Sequence, residues 1–494
     1  MKAAETPVVK RTSYTLMVKQ FLSGHSWMGL AVGALMYVVC LTGSLVVFFE
    51  ELERWEQPTV IEYMDYSPQL IEQAVAQFLA RVPESPASLY VVLPTDAVPR
   101  IHISDGEHEW FVNSDGSLGE IPLEAWTHML KQLHIYLHLP ETLGIIVVGI
   151  LGVLLCGLIV SGLLAHPKIF KDAFRLRLGG SEHLAQADLH NRLSVWGTPF
   201  YAMIAFTGAF IGLVGVVIAA TAWLSFENDR TAVIDQIYGA DPVITNAAPK
   251  RDYVRTLNEL KRVAPTATPI YWVIQNINTE TQFIEIAATL PQRLTYSEIY
   301  RFQANGEFIS LQGLASGELG RQVAYSVYRL HFGHFDSFWV KLIYGVLGLA
   351  LTVVSATGIN IWLAKRKQRS VINDVWVAIV WGLPLALVLS AIFSLLGFVA
   401  IQVFYACWVV CVGFSLWWKD DQKVRNLLKL CLLVSVKALV VTHIILFGIV
   451  IDNPAALGVN LTLIVAVIGF SLYRIWKGVK VLSPIIYTQM YEPD

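Results

Sequence analysis

Long apolar runs separated by short polar connections dominate the chain. A run of about 20 uncharged residues is long enough to cross a bilayer as one helix. The run 375–418 holds 44 uncharged residues, which predicts two helices joined by a turn near 394–397. The pattern therefore predicts eight membrane-spanning helices, at 25–49, 133–165, 190–226, 331–364, two within 375–418, 430–451 and 455–473.

Basic residues near the short connections predict how these helices are oriented, because lysine and arginine concentrate on the cytoplasmic side. The segments 1–24, 166–189, 365–374, 419–429 and 474–494 are predicted to be cytoplasmic, so that both termini lie on the cytoplasmic side of the membrane. The residues that carry this prediction are Lys2, Lys10, Arg11, Lys19, Lys168, Lys171, Arg175, Arg177, Lys365, Arg366, Lys367 and Arg369.

The same rule places residues 50–132 and 227–330 on the periplasmic side, where each is predicted to form a small α+β domain. Each segment begins with an amphipathic helix, at 68–80 and 253–263, and continues as alternating strands bounded by turn residues. The predicted strands are 88–93, 100–104 and 109–113 in the first segment, and 270–275, 283–288 and 298–303 in the second. The order helix, outer domain, helix thus occurs twice, which predicts a duplicated unit.

Composition agrees with an integral membrane protein of mainly α class. Hydrophobic residues make up 55% of the chain and charged residues 15%, whereas soluble domains carry about a quarter charged residues. The net charge of −2 gives no indication of a nucleic-acid partner. The five cysteines all fall in predicted spans and are expected to be free, apolar side chains.

Four histidines occupy matched positions in the two halves. From His25 the chain runs seventeen residues to Thr42, and from His190 it runs seventeen residues to Thr207; from His134 it runs 27 residues to Ser161, and from His331 it runs 26 residues to Thr357. The predicted topology puts His25 and His190 in an inner layer and His134 and His331 in an outer layer. Neutral imidazoles facing each other in a helix bundle are suitable axial ligands for haem iron, so the register predicts two bis-histidine iron sites. These four residues are the candidate metal ligands.

Two questions about these sites stay open at the level of sequence. His138 and His334 also align between the halves, so either histidine of each outer pair is a candidate ligand. A glycine follows each matched Ser or Thr, as Gly43, Gly162, Gly208 and Gly358. These glycines would give a flat macrocycle room against the backbone, although glycine and threonine also line close helix crossings in membranes.

The motifs around the histidines resemble the PepSY-associated transmembrane family of bacterial inner-membrane proteins. They are His25-Ser-Trp-Met-Gly-Leu, Leu189-His190-Asn-Arg-Leu and Leu330-His331-Phe-Gly-His-Phe, within a resemblance that covers about residues 15–367. The resemblance implies two haem b groups and two PepSY-like outer domains. It also implies an activity similar to ferric-siderophore reduction on the periplasmic side. The last four helices lie outside the resemblance.

No convincing catalytic acid–base constellation and no nucleotide or flavin motif is found, so no catalytic residue is assigned. We therefore expect a quinol or a separate cytoplasmic flavin reductase to be the electron donor, and a ferric siderophore or another periplasmic oxidant to be the acceptor. Lys437 and His443 in the seventh predicted helix are candidates for a quinone or proton role, with snorkelling as the alternative for the lysine. A regulatory, partner-binding membrane protein and a transporter are the alternative function classes.

Overall fold

The computed structural model describes residues 7–123, 125–166, 169–172, 174, 182–244, 250–334, 338–366 and 368–490. Lys2, Lys168, Arg175, Arg177 and Lys367, which contribute to the predicted orientation, lie outside this range. Eight helices in the described part of the chain are long and apolar enough to cross a bilayer, which confirms the predicted fold class. The spans are Tyr14–Val46, Glu141–Ala165, His183–Ser225, Phe338–Lys365, Val371–Leu395, Ala400–Trp418, Asp421–Phe447 and Pro454–Leu472.

The helices are numbered α1 to α16 and the strands β1 to β7 in chain order. The helices are α1 Pro7–Val46, α2 Phe49–Glu56, α3 Pro68–Arg81, α4 Ala125–Tyr136, α5 Glu141–Ala165, α6 Ile169–Asp172, α7 Glu182–Ser225, α8 Arg230–Tyr238, α9 Tyr253–Val263, α10 Leu319–Phe332, α11 Phe338–Lys365, α12 Val371–Val377, α13 Leu383–Leu395, α14 Ala400–Trp418, α15 Asp421–Phe447 and α16 Pro454–Met490. The strands are β1 Ser88–Val92, β2 Ile101–Ser104, β3 Glu109–Val112, β4 Thr268–Gln275, β5 Phe283–Thr289, β6 Glu298–Gln303 and β7 Phe308–Leu311.

The helices that carry the four histidines do not begin where the sequence analysis places their starts. Helices α1 and α7 begin well before His25 and His190, so both histidines lie inside continuous helices. His134 and His331 lie near the ends of the separate helices α4 and α10, and not at the starts of the spans that follow. Two backbone features explain the breaks. His138 adopts a left-handed φ of 55° before Pro140, and Gly333 ends α10 with a φ of 69°.

Helices α1, α5, α7 and α11 form a four-helix bundle in which each helix packs against two neighbours. The neighbours follow the cyclic order α1, α5, α7, α11, so the two helices of each sequence half are adjacent. Small residues allow the closest crossing: a Cβ added to Gly212 of α7 would lie 2.5 Å from the Cα of Gly149 in α5. Met36, Cys40, Leu155, Tyr201 and Leu351 fill the bundle interior.

Strands from both predicted outer segments form one antiparallel sheet, with the order β3-β2-β1-β4-β5-β6-β7. The strand pattern predicts two separate small domains and does not predict β7. The structure instead joins the two segments through β1 and β4, with Val91 opposite Trp272. Helices α3 and α9 cover one face, where Phe78, Trp272 and Phe302 are fully buried. The joint sheet buries apolar strand faces that three or four short strands alone would leave exposed.

The chain divides into two compact units. The first contains residues 1–49, 60–123 and 130–367, and therefore the bundle and the sheet. The second contains 50–59, 124–129 and 368–494, and therefore the last four spans, most of α2 and the start of α4. In this unit a π-helical turn, Ala378–Gly382, joins α12 to α13 just before Pro384, and α13 and α14 are separated at 396–399, next to the predicted turn.

Candidate functional site

The bundle brings the four candidate histidines together as two facing pairs. The ring centroids of His25 and His190 are 6.3 Å apart, with ring planes at 77°. The centroids of His134 and His331 are 6.4 Å apart, with ring planes at 26°. We call these the inner pair and the outer pair. Each pair takes one histidine from each half of the sequence, as the matched spacing predicts.

In the inner pair each ring is held by the neighbouring helix of its own half. The Nδ1 of His25 lies 3.0 Å from the carbonyl oxygen of Leu158 and 3.2 Å from Ser161 Oγ, both on α5. The Nδ1 of His190 lies 3.0 Å from the carbonyl oxygen of Val354 and 3.2 Å from the Oγ1 of Thr357 on α11. A backbone carbonyl only accepts, so Nδ1 carries the proton in both rings. This tautomer leaves Nε2 as the electron-pair donor.

In the outer pair the histidines lie on α4 and α10, and the groups that orient their rings lie on α1 and α7. The Nδ1 of His134, on α4, lies 3.0 Å from the carbonyl oxygen of Val39 and 3.5 Å from the Oγ1 of Thr42 on α1. For His331 the acceptor is Thr207 Oγ1 on α7, at 2.9 Å. The Thr207 hydroxyl donates its own hydrogen to the Met203 carbonyl at 2.7 Å, so its oxygen accepts from the imidazole.

The four glycines lie against the imidazole rings themselves. A Cβ added to Gly43 would lie 2.6 Å from His134 Cε1, and one added to Gly358 would lie 3.4 Å from His190 Cε1. The corresponding distance is 3.1 Å at both Gly162 and Gly208, from His25 and His331 respectively. The sequence leaves two uses open for this space, room for a macrocycle or a close helix crossing. In the structure the glycines allow each ring to approach the backbone carbonyl or hydroxyl that orients it.

The geometry of both pairs fits haem iron held between two imidazoles. A metal–imidazole nitrogen bond is about 2.0 Å long, and a ring nitrogen lies about 1.2 Å from its ring centroid. Two imidazoles on opposite sides of one metal therefore have centroids about 6.4 Å apart, which agrees with 6.3 and 6.4 Å here. Among the described residues no cluster of three or more His, Cys, Asp or Glu side chains could hold a metal. Each pair offers two protein ligands, and this number suits a metal whose remaining ligands come from a macrocycle.

The other candidate residues lie elsewhere. His138 is in the turn after α4, and His334 follows α10, with its ring 5.6 Å from that of Phe332 and 6.4 Å from that of Tyr296. The ring that faces His331 is therefore that of His134. All five cysteines are free, as expected. Lys437 is exposed on α15, whereas His443 is fully buried.

Two kinds of group orient the rings, backbone carbonyls and side-chain hydroxyls, and the sequence gives a signal only for the hydroxyls. The carbonyls of Val39, Leu158 and Val354 carry no side-chain signature, because any residue supplies a backbone oxygen. The hydroxyls do have a signal: each lies one residue before a matched glycine, so a Ser/Thr-Gly pair marks the place where the neighbouring helix carries a histidine. A metal-ligating histidine commonly donates its other ring N–H to such a partner.

Comparison with known proteins identifies the family of this chain. The family described as PepSY-associated TM region matches residues 22–365, a range that contains all four histidines. An uncharacterised protein of Pseudomonas aeruginosa is 25% identical over 236 residues, which correspond to 45% of this chain and 60% of that protein. The match thus spans about 60% of the length of this relative. Because the matched range covers well over half of the 494 residues, the chain belongs to the PepSY-associated transmembrane family.

Proposed function

We propose that this protein is a di-haem b-type electron carrier that moves electrons across the bacterial inner membrane to a periplasmic acceptor. The observation that carries the proposal is the presence of two facing histidine pairs in one membrane bundle, each at a separation at which both imidazoles could hold one haem iron. Seventeen residues of α1 separate His25 from Thr42, beside the outer pair, which corresponds to about 25 Å along the helix axis. Two redox sites at this separation would span most of the bilayer.

The residues around each pair have two tasks in this proposal. The acceptors beside Nδ1 hold the ring proton on that atom and fix the orientation of each imidazole, so that both Nε2 atoms are available to one metal. Burial of the apolar bundle side chains keeps water out of the interior. A bound haem would supply one-electron exchange between ferric and ferrous iron. The protein contributes ligation, spacing and an apolar environment that tunes the potential.

The acceptor we propose is a ferric siderophore. The electron changes the chelated iron from iron(III) to iron(II), which binds hard oxygen ligands more weakly and is released. The positive-inside pattern predicts that the outer pair and the seven-stranded sheet lie on the periplasmic side, where such a chelate would arrive. Quinol or a cytoplasmic flavin reductase would supply the electron, because the sequence shows no flavin or nicotinamide motif of its own.

Haem quantitation on the purified protein tests the proposal. We expect two haem b per chain in the wild type and a b-type reduced spectrum. His25→Ala or His190→Ala should remove one haem, and His134→Ala or His331→Ala should remove the other, each with its own absorbance. His102→Ala is the matched control, since His102 is on strand β2 and contacts Glu109. A colourless wild type, or four variants that all retain two haems, would contradict the assignment.

Activity is tested separately in sealed vesicles. Haem reduced from the side that carries the basic loops should transfer electrons to a ferric chelate added on the other side. Iron(II) would be detected there with a chromogenic chelator. We expect iron(II) to form with the wild type and to stop with His331→Ala, while the inner haem remains reducible. Haem oxidation by other acceptors with no response to ferric chelates would retain electron transfer and exclude siderophore reduction.

A further inference from the structure

The second unit contains a buried carboxylate at the beginning of the helix that carries His134. Glu56, the last residue of α2, is 8% exposed. Its Oε1 accepts from the backbone N–H of Trp126 at 2.7 Å, and its Oε2 accepts from the N–H of Thr127 at 2.9 Å and from its hydroxyl at 2.6 Å. The first N–H groups of a helix have no partner within the helix, and a carboxylate there also meets the positive end of the helix dipole. Glu56 therefore fixes the start of α4.

A closed ring of three hydrogen bonds holds the residue next to Glu56. The indole N–H of Trp55 donates to Asn460 Oδ1 at 3.0 Å, and the Asn460 amide lies 3.1 Å from His443 Nδ1. His443 Nε2 then lies 2.9 Å from the carbonyl oxygen of Trp55, which only accepts, so Nε2 carries the proton. The His443 ring also stacks on Trp55 with centroids 4.8 Å apart and planes at 12°. The last two spans thus hold α2 at Trp55.

This closed set of hydrogen bonds has a structural role, because it connects α2 to the last two spans. Both ring nitrogens of His443 and both polar atoms of the Asn460 side chain take part in its hydrogen bonds. A quinone could bind His443 only by breaking one of these bonds, and buried polar groups left without partners are costly. Ser394 Oγ, from α13, adds a bond to Glu56 at 3.3 Å. Three of the last four spans therefore contribute polar groups around Trp55 and Glu56.

In the second half of the sequence, a buried carboxylate also holds the chain before the helix of the other outer histidine, His331. Glu298, at the start of β6, is 1% exposed. Its two carboxylate oxygens accept the backbone N–H groups of residues 313–316 at 2.8 to 3.1 Å. This segment leads directly into α10, which carries His331 in its last turn. In both halves, a buried carboxylate holds the chain where the helix of an outer histidine begins.

We propose that Glu56 and Glu298 are positioning residues for the outer histidines, and that the last four helices serve the outer site through Glu56. The inference rests on the proposed function. Helix α4 has only 12 residues, and isolated helices of this length are marginally stable. Its orientation therefore depends on its contacts with the rest of the protein, which include the buried side chains of Met129, Leu130 and Leu133. Glu56 makes the contact at the first turn, and His134 lies eight residues after Trp126, a little over two turns away.

The test compares the two haems in Glu56→Gln, which keeps the size of the side chain but places an amide nitrogen against N–H donors. We expect the outer haem to dissociate faster into an apo-haem acceptor, by at most about tenfold, which is the lower end of the loss for groups that contact a metal ligand directly. Its midpoint potential should shift, while the inner haem keeps its wild-type values. Glu84→Gln is the matched control, because Glu84 is an exposed glutamate in the same predicted outer segment, 50–132.

Two milder variants keep the test decisive if Glu56→Gln does not fold. Thr127→Val removes one donor to Glu56, and His443→Phe removes the ring of hydrogen bonds while an aromatic ring still stacks on Trp55. Both should change the outer site in the same direction and leave the inner site unchanged. An equal effect on both haems, or no effect on the outer one, would overturn the inference. A wild type without haem would instead refute the proposed function.

Discussion

The substitution of Gly43 by alanine tests the outer site most directly. The new Cβ would lie 2.6 Å from His134 Cε1, which is 0.8 Å short of the 3.4 Å at which ordinary contact begins. The ring cannot withdraw by this amount and keep both its 3.0 Å hydrogen bond to Val39 and a metal–nitrogen bond of about 2.0 Å. We therefore expect Gly43→Ala to weaken or break the bond from His134 to the outer haem iron.

The four matched glycines give a graded series with an internal control. The contact of the added Cβ with the ring lengthens from 2.6 Å at Gly43 to 3.1 Å at Gly162 and Gly208 and 3.4 Å at Gly358. Gly358→Ala should therefore leave both haems in place, whereas Gly43→Ala should lose the outer haem or convert it to a five-coordinate, high-spin form. Haem stoichiometry and the absorbance spectrum of the oxidised protein measure both outcomes.

The test depends on the order in which the four Gly→Ala substitutions affect the haems. Gly162→Ala should affect the inner haem, and Gly208→Ala the outer haem, each more weakly than Gly43→Ala affects the outer one. A general loss of packing in the bundle would instead lower both haems together in every variant. If Gly358→Ala lost haem while Gly43→Ala kept two low-spin haems, the inferred contact between glycine and imidazole would be wrong.

Three further predictions follow from the same geometry. The nearly perpendicular inner rings and the nearly parallel outer rings should give two distinct low-spin ferric EPR signals, the inner with the larger g anisotropy; a single class of signal would contradict the ring angles. Thr207→Val removes the 2.9 Å hydrogen bond to His331, so we expect a shift in the outer potential, whereas Thr42→Val should have less effect because His134 retains its backbone acceptor. Ser88→Cys with Gln275→Cys should form a disulfide across β1 and β4, detected as altered gel mobility of a protease-nicked chain; its absence under oxidising conditions would argue against one sheet.

The sequence predicts much of the fold because apolar run length and alternation are local signals. The eight spans follow from run length, and helix 253–263 agrees at both ends with α9. The pairing of β1 with β4 is not predictable in this way, since strand alternation specifies which face is buried and not which strand lies alongside. The separation of α4 from α5 is also difficult to predict, because the signal is two consecutive non-glycine residues, Leu137 and His138, in a left-handed conformation.

The matched register predicts which four histidines come together, because a fixed number of helical residues is also a fixed axial distance. It leaves His134 and His138 as alternatives, and the same is true of His331 and His334. The choice depends on where α4 and α10 end, which sequence periodicity determines poorly. The network of Glu56, Trp55 and His443 joins residues almost 400 positions apart, so no local pattern reveals it.

The duplication explains why both halves are required. In the first half, α5 holds the ring of His25, which lies on α1, and α1 holds the ring of His134, which lies on α4. Half of the chain therefore orients two imidazoles but places them about 25 Å apart along α1, too far to share a metal. Each facing pair forms only when α7 and α10 bring His190 and His331, the equivalent rings of the second half. The distance between the two halves of the bundle therefore determines the centroid separation in both histidine pairs. This explains why the two separations agree, at 6.3 and 6.4 Å.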